Sequence, residues 1–113
     1  MPLITKIIAS LVVLFISFIN NKAAVADNQS QYSILMDEWN KNKDIASKLL
    51  LEAEGQFKDG DEISGCSTQR KASEYGIKAT NSLIEAMKAN QFYDGLENLE
   101  AGLNKWKELR DLC

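Results

Sequence analysis

The sequence predicts an all-α protein: a small three-helix bundle, with a long N-terminal helix and a disulfide-stapled antiparallel helical hairpin, after a cleaved signal peptide. Two observations point to this class. After residue 26 apolar residues recur at spacings of three and four, as on one face of a helix, and no apolar–polar alternation reaches strand length. The single proline of the chain is Pro2, so no proline interrupts a helix in the later part.

The opening stretch, MPLITKIIASLVVLFISFINNKAAVA, has the three-part layout of a secretory signal peptide. Lys6 supplies a positive charge, residues 7–19 are almost wholly apolar, and residues 24–26 (Ala-Val-Ala) form a small-residue cleavage site. The apolar run is shorter than the roughly 20 residues of a membrane-spanning helix, and an uncleaved N-terminal anchor is the alternative. We therefore expect residues 1–26 to be removed and residues 27–113 to form a single helical domain in the periplasm or another extracytoplasmic compartment.

The predicted mature domain is acidic. All 16 acidic residues of the chain follow residue 26, whereas two of its 13 basic residues, Lys6 and Lys22, precede it, which leaves a net charge of −5. An acidic domain without a basic patch argues against binding to nucleic acid or to an anionic membrane surface. Its 87 residues suffice for one domain, whose core alone gives only marginal stability.

The first helix is predicted over about residues 33–58. Ser30 or Ser33 can cap its start, and Gly55 with the following Asp59-Gly60 marks its end. Acidic residues four positions before lysines support its exposed face. Its apolar stripe consists of Tyr32, Met36, Trp39, Ala46, Leu50, Ala53 and Phe57.

The segment DGDEISG (59–65) contains two of the chain's six glycines and is predicted to be a loop. The second helix is then predicted over about residues 67–89, with the hydroxyl of Ser67 as its cap. Small residues dominate its inner face, which indicates close packing against a neighbouring helix. These inner-face residues are Ala72, Gly76, Ala79, Leu83, Ala86 and Met87.

The third helix is predicted over about residues 91–112, with Asn90 as its cap. Its apolar residues alternate by four and three over three heptads, the cleanest pattern in the chain. Gly95 and Gly102 lie a heptad apart on one flank of this helix. Since a glycine inside a helix costs about 1 kcal/mol, we expect both positions to allow close approach of a neighbouring helix.

Cys66 and Cys113, the two cysteines of the chain, are predicted to form an intramolecular disulfide. In an antiparallel helical hairpin, residues equally far from the turn lie opposite one another, and the midpoint of this pair falls on the predicted turn at 89–90. An exported protein meets oxidising conditions in which two thiols become a disulfide. The alternatives are an intermolecular bridge and a redox-active pair, although redox pairs usually have Cys-x-x-Cys spacing.

The residues present exclude several kinds of chemistry. The chain has no histidine, which removes His-based triads, most catalytic zinc sites and c-type haem attachment. An EF-hand calcium loop starting at Asp59 would place Ser64 where glycine is needed and Arg70 where a bidentate glutamate is needed. With no phosphate-binding loop or nucleophile motif either, we predict a protein that is not an enzyme and has no cofactor and no metal site.

The leading functional hypothesis is a small exported protein that acts by binding another protein or a second copy of itself. It rests on large apolar residues in excess of what a three-helix core needs, although burial in the core is the alternative for each of them. The candidate partner or ligand surface consists of Trp39, Phe57, Trp106, Leu109 and Leu112.

A second hypothesis is a carrier or sensor of a small apolar ligand held between the helices. Small residues on facing helices can leave a cavity near Trp106, although close helix packing is their commoner use. These residues are Gly76, Ala79, Ala86, Gly95 and Gly102. A purely structural envelope protein is a third possibility, which the sequence does not separate from the first.

Overall fold

The computed structural model describes residues 29–113, and the predicted signal peptide lies outside the described residues. The described part consists of helices α1 (Gln29–Lys58), α2 (Glu62–Ala89) and α3 (Leu96–Asp111), and it contains no strand. The predicted all-α class with three helices is therefore confirmed. Its extents of 49 × 22 × 21 Å reflect the length of α1, since 30 residues at about 1.5 Å each reach about 45 Å.

Helix α2 is the central element of the fold. It packs along both of the other helices, whereas no Cα atom of α1 lies within 8 Å of a Cα atom of α3. Side chains from all three helices nevertheless form one apolar core, to which α1 contributes Trp39 and α3 contributes Trp106. Each outer helix therefore depends on α2 for its backbone packing.

The connection between α1 and α2 is a three-residue turn. Gly60 adopts a left-handed conformation (φ 82°), and Asp61 N donates to Gln56 O at 2.9 Å, which is the hydrogen-bond pattern that commonly ends a helix at glycine. The carboxylate of Asp61 then accepts a bond from Ser64 N at 3.2 Å and so caps α2. The prediction of a loop through residue 65 and a helix start near Ser67 is therefore wrong, because the cap lies at Asp61.

The connection between α2 and α3 is longer than predicted. Asn90 ends α2, with its main-chain N–H donating to Ala86 O at 3.2 Å, and does not cap the third helix. Gln91 and Gly95 both have positive φ, of 60° and 88°, which a right-handed helix does not accommodate. For this reason α3 begins at Leu96 rather than near residue 91.

The close helix approach expected at Gly95 and Gly102 occurs at Gly76 instead. A Cβ atom placed on Gly76 would collide with the indole ring of Trp106, whereas one placed on Gly102 or Gly95 would meet nothing within 4 Å. The absent side chain at position 76 therefore makes room for a large side chain from α3. Gly65 plays a similar part for α1, since a Cβ there would lie 2.8 Å from Phe57 Cε1.

Candidate functional site at the disulfide-closed end

Cys66 and Cys113 form a disulfide with their Cα atoms 5.5 Å apart, which confirms the predicted pairing. Cys66 lies near the start of α2, and Cys113 lies two residues after the end of α3. Both cysteines are half-buried. We call this part of the molecule, residues 62–70 together with residues 109–113, the disulfide-closed end.

Gln69 fixes the end of α3 from within α2. Its side chain is fully buried, and Nε2 donates to Leu109 O at 2.8 Å and to Cys113 Sγ at 3.4 Å. The carbonyl of Leu109 is among the last four of α3, which cannot all find partners inside the helix. Gln69 therefore supplies a donor that the sequence of α3 itself lacks. The Oε1 atom of Gln69 is buried with no hydrogen-bond partner among the described protein atoms.

Charged side chains lie around the disulfide. Arg70 is exposed, and its Nη2 donates to the main-chain oxygen of Cys113 at 2.7 Å. Arg110 Nε donates to Asp111 Oδ1 at 3.0 Å, and this hydrogen bond lowers the pKa of Asp111 and raises the pKa of Arg110. Since water screens such exposed pairs, they contribute little stability and instead give this end a polar border.

An open depression of about 470 Å³ lies beside the disulfide, lined by residues of the first turns of α2. Ile63 on its wall is 87% exposed, more than the exposed Leu51 of α1 at 64%. Leu112, which adjoins Cys113, is 41% exposed. The lining residues are Glu62, Ile63, Cys66, Ser67 and Arg70.

The structure places most of the sequence-predicted surface residues in the interior. Trp39, Trp106 and Leu109 are 3%, 1% and 0% exposed, because their helical positions point them into the common core. They therefore do not form an exposed surface of the described chain. Phe57 is half-buried against the core and Gly65, and Leu112 is the member of the set that remains exposed.

Sequence reasoning missed Ile63, Gln69 and Arg70 as residues of this end. The sequence predicts a loop at Ile63, and the helix predicted from about residue 67 gives Gln69 no particular role. A usable signal existed, since Gln69 lies seven residues before Gly76 and so falls on the same inner face of α2. A polar side chain on a buried face indicates a hydrogen-bond partner there.

In residues 29–113, no three His, Cys, Asp or Glu side chains are placed to hold a metal ion. None of the helices in the same range combines the length and apolar character needed to cross a membrane.

Comparison with protein-family models, with curated proteins and with solved structures finds no match to this chain.

Proposed function

We propose that this is a small, exported, non-catalytic protein that binds a protein partner through the disulfide-closed end. The observation that carries the proposal is the exposure of Ile63 in an open depression that Glu62 and Arg70 also line. Protein interfaces place apolar side chains at the centre and polar ones at the rim, and arginine is enriched among the residues that carry most of the binding energy. Leu112, which adjoins Cys113 at the same end of the molecule, is a second exposed apolar side chain.

The attachments of this end favour binding because they hold it in one arrangement before a partner arrives. The disulfide and the bonds of Gln69 fix the last turn of α3 against α2. Arg70 is oriented by its bond to Cys113. A guanidinium has five N–H donors, so those not used by Cys113 can meet acceptors on a partner. Ordering these groups in advance reduces the entropy lost on association.

Export is supported by two features of different kinds. The N-terminal segment has the layout of a signal peptide. The intramolecular disulfide between Cys66 and Cys113 is of the kind that persists in oxidising compartments and is rare in the cytosol. The carrier hypothesis has less support, because the indole of Trp106 occupies the space that the small residue at Gly76 leaves.

The experiment uses Ile63→Glu and, as a matched control, Leu51→Glu, which adds the same charge at an exposed apolar position of α1. Wild type and both variants are expressed with the full N-terminal segment and cross-linked in the cells that produce them. We expect one protein to be cross-linked to wild type and to Leu51→Glu. Its yield with Ile63→Glu should fall about tenfold or more, the effect of losing a central interface residue.

Sedimentation of the purified variants at micromolar concentration identifies the case in which the partner is a second copy of the chain. A dimer that Ile63→Glu abolishes and Leu51→Glu preserves would also support the proposal. Equal yields for all three proteins, or a strict monomer with no cross-linked partner, would overturn it.

A further inference from the structure

Helix α3 is attached to the rest of the molecule differently from α1. The backbone of its 16 residues lies close to α2 but not to α1, since α1 and α3 have no Cα atoms within 8 Å of each other. At one end it continues from residues 90–95, which are outside any helix. At the other end the disulfide, Gln69 and Arg70 all hold the same short segment after residue 108.

We propose that the disulfide acts as a redox-sensitive latch: its reduction by a dithiol reductant undocks α3 from α2 while the hairpin of α1 and α2 stays folded. The proposal does not depend on the proposed partner. Once Cys113 is released, the bonds from Gln69 and Arg70 lose the fixed position of their acceptors. Undocking then exposes the apolar side chains that α3 buries, among them Leu99, Trp106 and Leu109.

The chemistry requires only a dithiol and the disulfide itself. A thiolate of the reductant attacks one sulfur, the S–S bond breaks, and the other cysteine leaves as a thiolate that takes up a proton. The second thiol of the reductant then attacks the mixed disulfide and releases the remaining cysteine. Two electrons pass to the protein, and the reductant becomes a disulfide. Half-burial of both cysteines beside an open depression gives a reductant access to the bond.

The α1–α2 hairpin contains what it needs to survive the release of α3. The two helices have 30 and 28 residues and are joined by a capped turn of three residues. Buried apolar side chains of α1 follow its length at Leu35, Ala46, Leu50 and Ala53. Local opening of one element while a longer cooperative unit stays closed is common when the two differ in packing.

The experiment measures amide hydrogen exchange, peptide by peptide, in oxidised protein and in protein reduced with dithiothreitol. Reduction should accelerate exchange in residues 99–109 of α3 by about 100-fold or more. The reason is that it breaks a covalent link between two residues 47 positions apart in the sequence. Exchange in residues 40–53 of α1 should change by less than about threefold. The double variant Cys66→Ser/Cys113→Ser should reproduce this pattern without reductant.

Tryptophan fluorescence provides a second measurement on the same proteins. Reduction should shift the emission of Trp39→Phe, which retains Trp106, to longer wavelength. The shift should be smaller for Trp106→Phe, which retains Trp39 on α1. Unchanged protection of α3 in the reduced protein would overturn the proposal, because the disulfide would then hold nothing that the other contacts do not. Equal loss of protection in α1 and α3 would also overturn it, since the chain would then unfold as one unit.

Discussion

The two helix interfaces of this molecule are held together in different ways. The interface between α1 and α2 lies along the apolar core, and it includes a bond from Ser82 Oγ to Glu38 Oε2 at 3.2 Å. The interface between α2 and α3 combines apolar contacts around Trp106 with a disulfide and the buried amide of Gln69. The longer pair therefore relies on burial, whereas the shorter one adds covalent and polar attachments.

The difference follows from helix length. Burying a large aliphatic or aromatic side chain contributes about 1.5–3 kcal/mol, so an interface gains stability roughly in proportion to its length. Helix α1 has 30 residues along which to bury side chains, but α3 has 16. Attachments concentrated at the C-terminal end of this short helix oppose its fraying.

The largest effects should come from the two tryptophans, and they can distinguish the interfaces. In oxidised protein, Trp39→Ala and Trp106→Ala should each lower the free energy of unfolding by about 3–5 kcal/mol, because each removes a nearly fully buried indole. In reduced protein Trp39→Ala should lower the free energy of unfolding by as much as in oxidised protein. Trp106→Ala should lower it much less, because we expect α3 to be undocked already. Urea unfolding followed by circular dichroism measures all four values.

The same four free energies of unfolding can contradict the proposed difference between the two helix interfaces. If the effect of Trp106→Ala is the same in the oxidised and reduced proteins, the disulfide and the docking of α3 are independent of each other. Trp39→Phe serves as the conservative control, because it retains an aromatic ring in the core and should cost much less than Trp39→Ala.

The next effect concerns the contact between Gly76 and Trp106. Gly76→Ala should lower the free energy of unfolding by about 3 kcal/mol, because the added methyl group collides with a buried ring and α2 and α3 must separate. Gly102→Ala is the matched control. It lies within α3 with nothing within 4 Å of the added methyl, so it should be neutral or stabilising by up to about 1 kcal/mol. Equal effects at both positions would show that the contact at Gly76 is not tight in solution.

The pairing of Cys66 with Cys113 could be predicted because it depends on chain geometry alone. Two antiparallel helices bring residues equidistant from their turn together, although a shift of the turn by one residue changes this register by two. The observed connection at 90–95 is centred later than the predicted turn at 89–90, yet the Cα atoms still lie 5.5 Å apart. Cys66 lies 23 residues before the end of α2 and Cys113 lies 17 residues after the start of α3, so the six residues of the connection make up the difference.

The boundaries of α2 and α3 could not be predicted in the same way. Asp61 and Ser67 are both suitable caps, and the choice between them depends on the turn that Gly60 makes after α1. The positive φ of Gln91 is not a property of glutamine and is imposed by the chain on either side. Such features depend on how the chain turns between the helices, which the preferences of single residues do not specify.

The candidate site was harder to predict because the sequence shows which residues face inward but not how much space they must fill. Since the backbones of α1 and α3 do not approach each other, their common core requires larger side chains than three closely packed helices would. Trp39 and Trp106 are therefore part of the core and are not apolar residues in excess of what the core needs. The exposure of Ile63 follows from the early start of α2, which the sequence pattern did not indicate.

The smallest effect tests the polar attachment itself. Gln69→Leu keeps a side chain of similar size but leaves the carbonyl of Leu109 buried without its donor, so the free energy of unfolding should fall by about 1–2 kcal/mol. The loss stays moderate because the substitution also removes the unpartnered Oε1 of Gln69. Urea unfolding gives the value, and hydrogen exchange should place the loss of protection in the last turn of α3.

Ser82→Ala is the counterpart of Gln69→Leu in the other interface. It removes the bond to Glu38, whose exposed carboxylate can return to water, so the cost should be within about 0.5 kcal/mol. We therefore expect loss of the polar bond between α2 and α3 to lower the free energy of unfolding more than loss of the bond between α1 and α2. If Gln69→Leu is neutral or stabilising, the buried hydrogen bond of Gln69 does not help to hold α3, and the proposed polar contribution to this interface is wrong.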